Sequence, residues 1–167
     1  MITLLRVDNR LLHGQILEAW APRLRARRVV VADDDAASSP LAQAAMTLCL
    51  PPELPVEIRR LAAVDWVALA ASPEPILVLV REVAALARAV EGGLTPALAP
   101  RLNLGNVHYA PGRHPVTPSV YLSADEVRAL RQLSERGFEI EARAVPSDPP
   151  VGAGALADKY AAAAGGR

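Results

Sequence analysis

The N-terminal part of the chain contains the stretch that decides the fold, Arg6-Val7-Asp8-Asn9-Arg10-Leu11-Leu12-His13-Gly14-Gln15. A short apolar run, Ile2–Leu5, precedes it, and a helix-like segment that carries Ile16, Leu17 and Trp20 follows it. This order predicts a buried strand that opens into a turn, and a turn that leads into a helix. We expect the turn to bring His13 to the start of that helix.

The predicted helix start has the properties of an anion-binding site. The first backbone N–H groups of a helix have no partner within the helix, and they lie at the positive end of its dipole. Arg10 adds a planar guanidinium close by. Asp8 is itself an anion, so it is predicted to orient Arg10 or the imidazole of His13. The residues expected to surround a bound phosphoryl group are Arg10, Leu11, Leu12, Gly14 and Gln15, with Gly14 allowing its close approach.

Histidine is suited to phosphoryl transfer, because a neutral imidazole is a nucleophile near neutral pH. Ligands of open α/β sheets bind beyond the carboxyl ends of strands, which is where His13 is predicted. The residues alone leave two interpretations open. His13 is either a phosphoryl acceptor or a residue with only a hydrogen-bonding role at the helix cap.

Two further residues are candidate neighbours of this site. Arg81 follows the fourth predicted strand, where it could face the phosphoryl group or pair with Glu74 or Glu82. His108, in a long loop with Tyr109, Arg113 and His114, could reach the same crevice, although exposed loop histidines are the favoured interpretation. The histidines and the single cysteine are scattered without the spacing of metal ligands, so no metal site is predicted.

Short apolar runs alternate with helical segments along the whole chain. The runs at Val29–Val31 and Ile76–Val80 are continuously apolar, as is typical of parallel strands covered on both faces. The pattern predicts an α/β fold, a doubly wound and mostly parallel open twisted sheet of six to seven strands with helices on both faces. With no linker in evidence, residues 1–167 are predicted to form one domain. The predicted strands are Ile2–Arg6, Arg28–Ala32, Val56–Leu61, Ile76–Val80, Arg101–Leu104, Val120–Leu122 and Ile140–Val145.

Local signals predict several boundaries. Ser123 and Glu126 form a capping-box pattern at a helix start, and Gly137 stands where a left-handed helix stop is expected. Polar and apolar residues alternate from Glu139 to Ala144, which predicts a half-exposed edge strand. The segment Asn106–Pro118 contains three prolines and Gly112 and is predicted to be a long loop.

Composition argues against several classes of protein. The chain has 18 basic and 18 acidic residues, and the arginine cluster Arg23–Arg28 has no aromatic residues within it, so no nucleic-acid partner is expected. No apolar run approaches the roughly 18 residues of a membrane span. Arg6 interrupts the N-terminal apolar run, which argues against a signal peptide and favours a cytoplasmic protein. Cys49, flanked by leucines, is predicted to be a core residue.

The His13 motif and further blocks resemble the IIB components of the bacterial sugar phosphotransferase system, mannose/sorbose family. Trp20 follows the motif as it does in that family, and the other blocks occur in the family's order across nearly the whole chain. They are Val29–Asp33, Glu91–Gly93, Asn103–Asn106, Arg136–Arg143 and Ser147–Pro149.

The resemblance implies a phosphotransferase whose covalent intermediate is His13. It implies that Nδ1 takes a phosphoryl group from a phosphohistidine of a separate IIA protein. The group then passes to a sugar held by the membrane components IIC and IID, which this protein contacts only peripherally. No nucleotide, metal or other cofactor is implied. The chain departs from the family at Arg81-Glu82-Val83, where a polar residue, asparagine and proline are common, so neither the sugar nor the particular IIA donor is predicted.

Two alternatives stay open. One is an orphan regulatory phosphocarrier that delivers no phosphate to sugar. The other is a non-enzymatic α/β ligand-binding domain in which His13 is unmodified. A small homo-oligomer is compatible with each of these functions.

Overall fold

Strands and helices alternate along the chain, as the apolar runs predict. The computed structural model describes residues 1–48 and 50–166, so the prediction for Cys49 concerns a residue outside the described ones. The elements, in chain order, are β1 (Ile2–Asp8), a π-helical turn (Ile16–Trp20) continued by α1 (Ala21–Leu24), β2 (Arg28–Ala32), α2 (Asp34–Ser38), α3 (Pro40–Thr47), β3 (Val56–Arg59), a 3₁₀ turn (Leu61–Ala63), α4 (Trp66–Ala71), β4 (Ile76–Val80), α5 (Val83–Glu91), β5 (Arg101–Asn106), β6 (His114–Thr117), β7 (Val120–Leu122), α6 (Ala124–Glu135), β8 (Glu139–Ala142), β9 (Val151–Gly152) and α7 (Ala153–Gly165).

Seven strands form one open sheet in the order β3-β2-β4-β1-β5-β8-β9. All neighbours are parallel except β9, which pairs antiparallel with β8. The predicted fold class is therefore confirmed. The chain leaves β1 toward β2 and leaves β5 toward β8, which lie on opposite sides. The switch point of the sheet thus lies between β1 and β5, where ligands of such folds bind.

Residues along each central strand alternate between two cores, one on each face of the sheet. In β4, Val78 contributes to the larger core beneath α4 to α7, whereas Leu77 and Leu79 contribute to the core on the other face. The second core also contains Ile16 and Trp20, which are almost fully buried. Packing against the sheet therefore fixes the helical segment that follows His13. None of the helices within residues 1–48 and 50–166 is both long and apolar enough to cross a membrane.

The prediction of an edge strand at Ile140–Val145 was wrong in two respects. The strand ends at Ala142, because the carbonyl groups of Arg143 and Ala144 accept hydrogen bonds from the side chains of Arg6 and Trp20. It is also not at the edge, since β9 pairs with it. Gly152 and Val151 form so short a strand that no alternation marks it in the sequence.

The segment Asn106–Pro118, predicted to be a loop, contains the strand β6. This strand pairs antiparallel with β7 in a separate two-stranded hairpin, so Val120–Leu122 is a strand as predicted but lies outside the main sheet. Pro115 is tolerated in β6 because an edge strand does not need a backbone N–H on its outer side.

Other boundaries agree closely with the sequence. The capping box of Ser123 and Glu126 is present at the start of α6, and Gly137 has a positive φ of 100° after its end. Strands β1 and β5 run beyond their predicted ends, to Asp8 and Asn106, because these residues continue the pairing between the two strands. Strand β3 ends at Arg59 instead of Leu61.

Candidate functional site

The turn after β1 places polar side chains at the surface and apolar ones in the core. Leu11 has a left-handed backbone with a φ of 55°, which is unusual for a leucine, and its N–H donates to the carbonyl of Asp8 over 2.9 Å. The side chains of Leu11 and Leu12 are buried, whereas Gly14 and Gln15 are exposed. The backbone N–H of Leu11 is thus used within the turn itself.

His13 lies at the start of the helical segment, as predicted. Its carbonyl accepts from the N–H of Ile16 over 2.9 Å and from that of Leu17 over 3.2 Å. Its side chain remains 19% exposed, at the carboxyl edge of the sheet beside the switch point. The side chain of His13 is therefore only partly buried.

Asp8 contacts most of the other polar side chains of the site. Its carboxylate is fully buried at the end of β1 and contacts three cationic or titratable side chains. Oδ2 lies 3.0 Å from Nη2 of Arg6 and 3.1 Å from Nε2 of His13, while Oδ1 accepts from Nε of Arg10 over 3.1 Å. Asp8 thus orients both Arg10 and the imidazole, the two roles that the sequence proposed as alternatives.

The contact with Asp8 distinguishes the two nitrogens of the His13 ring. An ionised carboxylate can only accept a hydrogen bond, so the shared hydrogen is carried by Nε2. The other nitrogen, Nδ1, then has its lone pair available in the neutral ring. The contact with Asp8 therefore leaves Nδ1 as the ring nitrogen whose lone pair is available.

Ionisation of Asp8 is maintained by its neighbours. Burial alone would raise the pKa of this carboxyl, but hydrogen bonds from His13 and Arg10 and the charge of Arg6 together lower the pKa to about 2. Asp8 is therefore an anion throughout the physiological pH range.

This low pKa predicts a specific loss of stability in acid. The carboxyl titrates near pH 4 in an unfolded chain, so its stabilising effect is complete above about pH 4 and is lost as the pH falls through about 2. We expect a contribution of about 2 kcal/mol to the free energy of unfolding. Urea unfolding of the wild type and of Asp8→Asn between about pH 5 and pH 2 measures it. Equal pH slopes for the two proteins would contradict the prediction.

Arg6 is a functional candidate that the sequence reasoning missed. It lies within β1 with its side chain fully buried, and its guanidinium carbon is 4.8 Å from the centroid of the Trp20 ring. Besides Asp8, the guanidinium donates to the side chain of Asn103 and to the carbonyls of Arg143 and Ala144. The available signal was an arginine inside an otherwise apolar strand.

Arg10 lies on the open side of Asp8 with 39% of its side chain exposed. Its Nη2 donates to Oε1 of Gln15 over 3.1 Å as well as to Asp8. Arg10 thus connects Gln15 to Asp8, the carboxylate that also contacts His13.

Asn9 joins the turn to the strands on either side of β1. Its amide donates to the carbonyl of Arg81 after β4, and its amide oxygen accepts from the N–H of His108 after β5. These contacts brace the turn across three adjacent strand ends. No pattern in the sequence points to this role of Asn9.

The two candidate neighbours of the site, Arg81 and His108, are placed differently from each other. Arg81 pairs with Asp33 in a two-pronged contact at 2.7 and 2.9 Å, so the alternative of a surface pair with Glu74 or Glu82 was wrong. Its guanidinium is directed toward the end of β2 rather than β1. His108 is exposed and tied through its backbone to Asn9 beside the site. No three metal-binding side chains are grouped together in the described part of the chain.

The remaining loop residues stabilise the hairpin. Arg113 forms a two-pronged pair with Glu126 of α6, and the ring of His114 packs edge-on against Tyr160 of α7 at 5.6 Å between centroids. Neither residue is brought to Nδ1 of His13 by these contacts.

Comparison with known proteins agrees with this geometry. The family model "PTS system sorbose subfamily IIB component" matches residues 2–163. The N-acetylgalactosamine-specific phosphotransferase enzyme IIB component 2 of Escherichia coli K12 is 33% identical over 151 residues, which are 90% of this chain and 94% of that protein. The sorbose-specific EIIB component of Klebsiella pneumoniae is 29% identical over 162 residues, covering 90% of this chain and 91% of that one.

Solved structures show the same likeness. The crystal structure of manxB from Thermoanaerobacter tengcongensis superimposes with a TM-score of 0.83 at 26% identity, covering 96% of both chains. The IIBSor domain of the sorbose permease from Klebsiella pneumoniae gives a TM-score of 0.80 at 28% identity and 95% coverage of both chains. The chain belongs to the sorbose-family IIB components, the phosphotransferase components of the sugar phosphotransferase system.

Proposed function

We propose that His13 carries the phosphoryl group, which Nδ1 accepts from a phosphohistidine of a IIA protein and passes to a sugar held by IIC and IID membrane components. The observation that carries this proposal is the contact between Nε2 of His13 and Oδ2 of Asp8 at the exposed carboxyl edge of the sheet. Membership of the family decides against the non-enzymatic ligand-binding domain. The proposed IIA donor is supported by one similar protein, the mannose-specific EIIAB component of Escherichia coli K12, whose name combines IIA with IIB. This chain covers 46% of the length of that protein.

The chemistry follows from the arrangement of charges. The lone pair of Nδ1 forms a bond to phosphorus as the phosphorus–nitrogen bond to the donor breaks, and the electrons of that bond stay on the donor nitrogen. The ring of His13 then carries a positive charge with its proton on Nε2. Asp8 stabilises this charge while remaining an anion, as the acid of a catalytic triad stabilises imidazolium.

Arg10 supplies the positive charge that faces the phosphoryl oxygens. Its guanidinium can exchange the contact with Gln15 for a phosphoryl oxygen while it keeps Asp8 on its other edge. In delivery to a sugar, His13 becomes the donor. A sugar hydroxyl oxygen bonds to phosphorus, its proton passes to solvent water, and the bond to Nδ1 breaks with its electrons returning to the ring.

Intact mass spectrometry tests the proposal directly. After incubation with a phosphorylated IIA donor, the protein should gain the mass of one phosphoryl group, and peptide mapping should place that group on His13. The adduct should be lost in acid and kept in base. An unchanged mass, or a phosphoryl group on another residue, would overturn the proposal. Loss of the adduct when IIC, IID and sugar are added supports transport, whereas its persistence would favour the regulatory alternative.

Replacing Arg10 with lysine should slow phosphoryl uptake about tenfold, because a single ammonium cannot contact both Asp8 and the incoming oxygens as the forked guanidinium does. Initial rates of uptake from the phosphorylated donor measure the effect. Arg131→Lys on the surface of α6 offers the matched control and should keep the wild-type rate. A wild-type rate in Arg10→Lys as well would remove Arg10 from the site.

A further inference from the structure

The buried guanidinium of Arg6 lies behind the carboxylate that contacts His13. Arg6 and His13 contact the same oxygen of this carboxylate. Oδ2 of Asp8 lies 3.0 Å from Nη2 of Arg6 and 3.1 Å from Nε2 of His13. Arg10 contacts mainly the other oxygen, Oδ1. The position of the oxygen that holds the imidazole therefore depends on Arg6.

Arg6 is itself held from several directions. Strand β5 supplies the side chain of Asn103, the segment after β8 supplies the carbonyls of Arg143 and Ala144, and Trp20 covers the guanidinium with its ring. The indole of Trp20 also donates to the carbonyl of Ala144. This cage fixes the guanidinium without any contact to solvent.

Such burial is unfavourable unless it is compensated. Desolvation lowers the pKa of Arg6, and its Nε atom has no hydrogen-bond partner among the described residues. A hydrophobic side chain at this central strand position would avoid both costs. Stability alone is therefore a weak explanation for an arginine here, whereas a role in placing Asp8 accounts for it.

We infer that Arg6 is a positioning residue for phosphoryl transfer: it holds Oδ2 of Asp8 where this oxygen accepts the hydrogen bond from Nε2 of His13, and so presents Nδ1 to the phosphoryl donor. This inference rests on the proposed function of His13. It extends the site from the exposed rim to a second buried layer that connects β1, β5 and the segment after β8.

Gly105 offers a way to disturb Arg6 without changing any charged group. A Cβ atom at this position would overlap the guanidinium carbon and both terminal nitrogens of Arg6. Gly105→Ala must therefore displace the guanidinium from its present place. Arg6→Met removes the charge, and Arg6→Lys keeps the charge while replacing the fork by a single donor.

The experiment combines nitrogen NMR of the unphosphorylated protein with transfer kinetics. In the wild type, the ring shifts of His13 should show a proton on Nε2 and none on Nδ1. In Arg6→Met and Gly105→Ala, the chemical shifts of the two ring nitrogens should become more alike, because the two tautomers and several ring orientations are then populated together. The rate of uptake should fall about 10- to 100-fold with the KM for the donor nearly unchanged, and Arg6→Lys should recover part of it.

Arg28→Met is the matched control, because Arg28 is also a strand arginine paired with a carboxylate, that of Glu57. Arg28 is the first residue of β2 and so lies at the amino ends of the parallel strands, whereas His13 lies beyond their carboxyl ends. It should leave the His13 shifts and the rate unchanged. Chemical shifts and rates equal to those of the wild type in a folded Arg6→Met or Gly105→Ala variant would overturn the inference. If Arg6→Met does not fold, the two single variants Arg6→Lys and Gly105→Ala decide the question. Since the shifts are recorded without phosphate, they test Arg6 even if His13 proves not to be the acceptor.

Discussion

His13→Ala should take up no phosphoryl group from a phosphorylated IIA donor, while it folds like the wild type. Alanine has no nucleophilic atom, so the loss should be complete within the sensitivity of intact mass measurement. The wild type under the same conditions should be phosphorylated on this residue alone.

The fold should survive because His13 contributes little to the core. Its side chain is partly exposed, and its one hydrogen bond to Asp8 is replaced in part by the contacts that Asp8 keeps with Arg6 and Arg10. We expect the free energy of unfolding to fall by about 1 kcal/mol. Urea unfolding at neutral pH measures this change.

His114→Ala is a control with the same change of residue type. This histidine packs on Tyr160, and its replacement should leave phosphoryl uptake intact. Phosphorylation of His13→Ala at the wild-type rate would end the assignment of His13 as the acceptor. Loss of uptake in both variants would point to a general loss of structure instead.

The parallel sheet could be predicted because its central strands are buried on both faces. Two runs, Val29–Val31 and Ile76–Val80, contain only apolar residues, which is typical of strands covered on both faces. Both lie in strands with the predicted bounds, Arg28–Ala32 and Ile76–Val80. Strands β6 and β9 could not be predicted in the same way. Strand β6 contains a proline and packs against α7, and β9 has only two residues, so their formation depends on tertiary contacts.

The rim of the site could be predicted because its contacts are local in the sequence. Asp8, Arg10, His13 and Gln15 lie within eight positions of one another, and a single turn brings them together. The failure with Arg81 has the opposite cause. Its partner Asp33 is 48 positions away, and the two meet because β2 and β4 are neighbours in the sheet. Strand order was the missing information.

The buried layer could not be predicted for the same reason. The partners of Arg6 in β5 and after β8 lie 97 to 138 positions away. In the sequence, Arg6 only interrupts an apolar run, and nothing near it in the chain indicates its partners. Once the fold brings Asn103 and the carbonyls of Arg143 and Ala144 to it, the same residue becomes the support of Asp8.

Asp8→Asn should be the most disruptive single change in the site. The amide has no charge, so Arg6 would remain buried without a counter-ion. Breaking a buried pair by removal of one partner costs about 3–5 kcal/mol, and we expect a loss of that order in the free energy of unfolding at neutral pH. The replacement keeps the shape of the side chain but turns one of its acceptor oxygens into a donor that faces Arg6 or Arg10, so the loss should exceed the about 2 kcal/mol that protonation of Asp8 removes.

The same variant should transfer phosphoryl groups on the order of 10³ times more slowly. An amide can donate a hydrogen bond to Nε2, which moves the ring proton to Nδ1 and blocks the nucleophile. It also removes the negative charge that stabilises the phosphorylated ring. Single-turnover uptake at a temperature where the variant is fully folded separates this effect from the loss of stability.

Asp125→Asn provides the control for both measurements. Asp125 is 86% exposed on α6 and pairs with Arg128 across one helical turn, so its replacement should change stability by no more than about 0.5 kcal/mol and leave uptake unaltered. If Asp8→Asn were as stable and as fast as Asp125→Asn, Asp8 could not be the group that fixes the ring of His13. A stable but slow Asp8→Asn would instead show that Arg6 tolerates burial without its counter-ion while the tautomer of His13 still depends on it.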